Sequence, residues 1–64
     1  MQGRCKWFND AKGYGFIAGE DGKDYFAHFS EIRAEGHKSL KENQSVIFEP
    51  TLEQKGPRAR AIVA

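Results

Sequence analysis

Two short stretches break the usual alternation of apolar and polar positions. They are Lys12-Gly13-Tyr14-Gly15-Phe16-Ile17 and Asp24-Tyr25-Phe26-Ala27-His28-Phe29. Side chains two apart on a β-strand share a face. Tyr14 and Phe16 therefore leave one side of the first stretch, and Phe26 and His28 one side of the second. Ile17, Tyr25 and Ala27 point the other way and can supply a core. An ordinary half-buried strand hides its rings and shows polar groups, whereas here the rings are left over after the core is filled. If the two strands pair, same-face neighbours lie roughly 6.8 Å apart along a strand and about 4.8 Å across. The result is a grid of flat rings. Glycines flank Tyr14, and the absence of their side chains is expected to let a ligand approach the backbone.

The rest of the chain reads as short strands and turns. Arg4 to Phe8 is a first strand with Cys5 toward the core, and simple alternation would then bury Trp7 and expose Phe8. Asn9 to Gly13 is a turn, and Tyr14 to Ala18 is the second strand. Asp21-Gly22 is a hairpin signal and makes the two aromatic strands antiparallel neighbours. The third strand runs about Asp24 to His28. Ser30 is expected to cap one helical turn through Glu31, Ile32 and Arg33. Residues 34–44 form a polar loop anchored by Leu40, with positive φ expected at Gly36 and Asn43. Ser45 to Glu49 is a fourth strand that must bend, bulge or become an edge at Pro50 before resuming at Thr51 to Glu53. After a turn at Gln54 to Pro57, Ala59 to Val63 is the fifth.

Five short strands without a long helix predict an all-β fold, a small closed or nearly closed barrel. Its expected core is Cys5, Ile17, part of Tyr25, Ala27, Ile32, Leu40, Val46, Phe48, Ile62 and Val63. With 64 residues there is room for one domain over residues 1–64 and one thin core.

Composition narrows the setting. Charged residues make up 30% and apolar residues 39%, which suits a folded domain rather than a disordered chain. One cysteine cannot form an internal disulfide, and no stretch is apolar enough for a membrane span or signal peptide. A cytosolic protein is expected. Net charge is only +1, so distribution matters more than the sum. Arg4, Lys6 and Lys12 flank the first aromatic stretch, and Arg58 and Arg60 lie near the C-terminus. Rings interleaved with cations suit single-stranded nucleic acid, whose bases each offer a π-face to stack upon.

Other chemistries find less support. His28 and Asp24 lack an activated nucleophile, so no enzyme is expected. Cys5, His28 and His37 lack metal-ligand spacing, so neither metal nor cofactor is expected. An RNA-recognition-motif domain also uses a Lys-Gly-aromatic-Gly-Phe run, but needs two helices and the opposite motif order. A small protein-interaction barrel, with the rings as a peptide groove, is the remaining alternative.

Lys6-Trp7-Phe8-Asn9, Lys12-Gly13-Tyr14-Gly15-Phe16-Ile17 and Phe26-Ala27-His28-Phe29-Ser30, at these spacings, closely resemble the bacterial cold-shock proteins. The resemblance continues through Gly36, Lys38-Ser39-Leu40, Gln44, Val46, Phe48 and Gly56-Pro57, and so covers essentially the whole chain. It implies a five-stranded antiparallel oligonucleotide/oligosaccharide-binding (OB-fold) barrel that binds single-stranded RNA and DNA with little sequence preference. It also implies an RNA chaperone with effects on transcription and translation. Carried over by position, the stacking groups are Trp7, Tyr14, Phe16, Phe26, His28 and Phe29, with Phe8 at the margin. Lys6 and Lys12 meet phosphate or base edges, and Asp24 is placed to hydrogen-bond a base. The nucleic-acid-binding set is completed by His37 and Arg58. The family's platform tryptophan opposes the alternation count at Trp7, and one strand bend or bulge before the Asn9 turn reconciles them.

Departures from the family pattern are His37 for a loop Phe or Tyr, Cys5 for a branched aliphatic, Tyr25 for an aliphatic, and Asn43 for glycine. Arg58 and Arg60 make the end of the chain unusually basic. A monomer is expected, with a domain-swapped dimer open to a barrel carrying so long a loop.

Overall fold

The computed structural model describes every residue except Glu35 and His37. Five strands occur among the described residues: β1 (Gln2–Asn9), β2 (Tyr14–Gly19), β3 (Asp24–His28), β4 (Ser45–Glu53) and β5 (Gly56–Val63). They close into a barrel in the order β1-β2-β3-β5-β4. The ladders are antiparallel except β3–β5, which is parallel and pairs Phe26 with Arg58. A parallel neighbour needs a long crossover, and the loop after β3 together with β4 supplies it. The only helical segment described is a 3-10 turn, Phe29–Glu31.

β2 and β3 bury alternate residues, while β1 and β5 break the alternation once each. The core consists of Cys5, Ile17, Tyr25, Ala27, Ile32, Leu40, Val46, Phe48, Ala59 and Ile62. Burial pushes the Cys5 thiol above its ordinary pKa, with the Glu42 carboxylate adding to the rise, so the sulfur behaves as a small apolar group. Leu40 anchors the long loop, and Gly36 and Asn43 take the positive φ values expected of them.

Three local expectations are corrected. Val63 is 47% exposed rather than in the core, and Ala59 is buried in its place. Ala61 adopts φ 50°, in the left-handed region, and the kink leaves Ala59 and Ile62, three apart, both pointing inward. Their successor Val63 then falls on the outer face. β4 runs unbroken to Glu53, with Pro50 opposite Ala59, and its irregularity lies earlier, between Ile47 and Glu49. β1 pairs with β4 only over Ser45–Ile47, so β4 is an edge at Pro50, one of the outcomes expected there, and the proline's missing donor costs little. The 3-10 turn is capped by His28 rather than by Ser30, which lies inside it. Finally, the glycines beside Tyr14 do not open the backbone to a ligand. A Cβ at Gly13 would strike the Phe29 ring, and one at Gly15 would strike the Trp7 carbonyl and Phe8. The protein's own rings use that space.

Candidate nucleic-acid interface

The interface is built mainly by the β1-β2-β3 meander. Tyr14 lies directly opposite His28, and Phe16 opposite Phe26, so two cross-strand pairs fix four rings on the outer face. β1 adds Trp7 through a register shift between Cys5 and Trp7, in which Lys6 is the extra residue. The bulge turns Trp7 outward, where it is 45% exposed, and lays Phe8 against the core. Trp7 sits 5.6 Å from Phe16 and 6.0 Å from Tyr14, centroid to centroid. Phe26 is 5.8 Å from Tyr14 and 5.7 Å from Phe16. The network runs on through His28, 6.4 Å from Phe26, to Phe29, 4.5 Å from His28. Six rings thus form one continuous outer surface. The core ring pair Tyr25 and Phe48, 5.0 Å apart, belongs to the opposite face.

His28 has a defined orientation. Its Nδ1 accepts from the Ser30 backbone N–H at 3.2 Å and lies 2.8 Å from the Ser30 hydroxyl. A backbone amide can only donate, so Nδ1 is unprotonated and the hydroxyl donates to it as well. The neutral ring therefore carries its proton on Nε2. That N–H has no partner among the described residues and can meet an acceptor on a ligand.

Cations and acids rim the rings. Lys6 Nζ meets Asp24 Oδ2 at 2.9 Å. Arg58 lies over the Phe26 ring, its guanidinium carbon 5.8 Å from the centroid. Lys12 and Phe29 line an open cleft of about 540 Å³ with Asp10 and Lys38.

A family model described as the 'Cold-shock' DNA-binding domain matches residues 1–64. This chain belongs to the cold-shock domain family. Among its relatives, Cold shock-like protein CspA of Bordetella pertussis is 61% identical over 94% of this chain and 91% of its own length. Cold shock-like protein CspC of Bacillus cereus is 54% identical, covering 98% of this chain and 97% of the relative. Cold shock-like protein CspE of Buchnera aphidicola from Acyrthosiphon pisum is 52% identical over all of this chain and 94% of the relative.

In this cold-shock domain, the structure gathers Lys6, Trp7, Tyr14, Phe16, Asp24, Phe26, His28, Phe29 and Arg58 on or beside one face. Lys12 borders that face at Phe29. Phe8 is the exception, since the bulge that exposes Trp7 sends it inward. His37 lies outside the described residues. Sequence reasoning passed over Ser30, which orients His28, and Lys38, which shares the cleft with Lys12. The loop anchor Leu40, two residues from Lys38, was the available sign that this part of the loop is held near the barrel. No helix among the described residues is long and apolar enough to cross a membrane.

Proposed function

We propose that this cold-shock domain binds single-stranded RNA and DNA with little sequence preference and acts as an RNA chaperone. Holding messages unpaired would affect transcription and translation, including during cold stress. The observation that supports this is the six-ring surface, kept outside a core already filled by other residues. So large an exposed apolar surface on a small domain indicates a binding role. Every base has a π-face, so stacking at ~1–3 kcal/mol per base tolerates sequence variation. In this reading Trp7, Tyr14, Phe16, Phe26, His28 and Phe29 stack bases. Lys6, Lys12, Lys38 and Arg58 meet phosphates, and Asp24 and the His28 Nε2–H meet base edges. The role is binding rather than catalysis.

Trp7 is the only tryptophan, so its fluorescence reports on the surface directly. Saturation with a short oligothymidine is expected to quench it strongly, while a proline-rich peptide leaves it unchanged. Binding of the oligonucleotide, seen by a label on it, with Trp7 emission unaltered would remove Trp7 from the interface. Quenching by the peptide alone would favour a protein-interaction barrel.

A further inference from the structure

β5 carries two cations, and each faces a carboxylate. Arg58 Nη1 lies 3.7 Å from Glu53 Oε1, and Arg60 Nε lies 3.7 Å from Glu31 Oε1. Both separations exceed ordinary hydrogen-bond length, and partly exposed pairs of this kind contribute little to stability. They can therefore exchange partners. The two carboxylates differ in freedom. Glu31 is anchored, with its side chain 15% exposed and its Oε1 accepting the Ala61 N–H at 3.4 Å. Glu53 sits at the mouth of the β4–β5 hairpin, opposite Gly56, and is exposed.

Arg58 is the better placed of the cations to matter for a ligand. Its backbone is opposite Phe26 on one side and Thr51 on the other, and the Thr51 hydroxyl donates to its carbonyl at 3.1 Å. The guanidinium lies over the Phe26 ring, an attraction between cation and π-face. Its Nε is buried and has no hydrogen-bond partner among the described residues. The head group is thus oriented from one end by Glu53 while one of its donors is unmet, over a ring on which a base would stack.

We propose that Glu53 is an intramolecular competitor of nucleic-acid phosphate, holding Arg58 over Phe26 until a bound strand takes the carboxylate's place. The inference rests on the nucleic-acid reading given above. A base arriving at Phe26 shifts the guanidinium, which then exchanges the Glu53 carboxylate for a phosphate. Part of the charge attraction that the strand gains is offset by the pair it breaks. Glu53 therefore limits affinity and flattens the salt dependence, which favours rapid release of the strand.

The test measures binding of a labelled heptathymidine by fluorescence anisotropy between about 50 and 200 mM salt, a span over which phosphate contacts are resolved. Glu53→Gln is expected to tighten binding about 3-fold at low salt, the scale of one exposed ion pair. The log–log slope should steepen by up to about 0.7, the contribution of one phosphate contact that breaking the Glu53 pair offsets in the unaltered domain. The gain should vanish when Glu53→Gln is combined with Arg58→Ala, measured against Arg58→Ala alone. Glu20→Gln makes the same charge change in the β2–β3 turn and should tighten binding less. Unchanged affinity and slope in Glu53→Gln, a gain that survives loss of Arg58, or an equal gain from Glu20→Gln would each overturn the proposal. If the unaltered domain fails to bind the oligonucleotide, the nucleic-acid reading itself fails and this inference with it.

Discussion

At the scale of single residues, the same strand carries side chains with opposite duties. Phe16 is half-buried among rings, while its neighbour Ile17 is fully enclosed. Phe16→Ala and Phe26→Ala are each expected to weaken oligonucleotide binding by ~1–3 kcal/mol with the fold largely kept. Ile17→Ala should instead cost ~2–5 kcal/mol of stability, enough to unfold much of so small a domain. Chemical denaturation and anisotropy on the three variants decide the matter, and unfolding by Phe16→Ala but not by Ile17→Ala would invert the two faces. That division was legible because period-two alternation is a local property of the sequence. Trp7 and Phe8 were not legible by the same count. A bulge at Lys6 shifts the phase, and nothing in the composition of β1 marks it. Ser30 was read as a cap because hydroxyl residues commonly cap helices. Here the imidazole before it does so, since Nδ1 already faces the turn's free amide.

At the scale of elements, the β2–β3 hairpin is held by a side-chain clasp. The Tyr25 hydroxyl donates to Asp21 Oδ2 at 2.6 Å, and the Lys23 N–H donates to Asp21 Oδ1 at 3.1 Å. The Tyr25 hydroxyl is the main cause that holds the Asp21 carboxyl below the usual carboxylate range, with the Lys23 amide next. The same bond is the main cause that pushes the Tyr25 phenol above its ordinary value, with its burial second. For Asp21, the lowered pKa gives stability that is present above the ordinary value of 3.8 and lost as pH falls through the folded one. For Tyr25, the raised pKa gives stability present below 10.0 and lost as pH rises through the folded value. Tyr25→Phe should therefore lower Tm most in the neutral range. The difference from the unaltered protein should shrink toward both extremes. A Tm difference constant with pH would show that the clasp does not act. The hairpin itself was legible from Asp21-Gly22, and Gly22 takes φ 84°. The clasp was not, because it depends on Tyr25 reaching back four residues from an inward-facing position. The strand ends also ran beyond expectation, β5 beginning at Gly56 rather than Ala59, since pairing with β4 extends through a turn-like sequence.

At the scale of the whole molecule, the balance of forces in binding can be read from the charge layout. Among the described residues, two cations of the interface face carboxylates: Lys6 with Asp24 and Arg58 with Glu53. Because those two pairs offset part of what Lys6, Lys12, Lys38 and Arg58 offer, about three phosphate contacts are expected, and a log–log salt slope near −2 on single strands. Raising salt from about 50 to 200 mM should weaken binding only about 20-fold. A measured slope steeper than about −4 would show that phosphate attraction rather than stacking carries the affinity. The barrel and its ring-bearing face were foreseeable from turn spacing. The parallel contact of β3 with β5 was not, because it joins segments far apart in the chain, and only one residue pair makes it. That seam bears on how the protein is made. All six rings lie between residues 7 and 29, so a ribosome releases the complete aromatic meander before β4 and β5 exist to cover its back. Until then the newborn chain shows its six rings on one side and the bare core groups Cys5, Ile17, Tyr25 and Ala27 on the other. Closure must await contacts distant in sequence, which form slowly because loop entropy is lost first. The interval between emergence and closure is when this sequence is most open to aggregation.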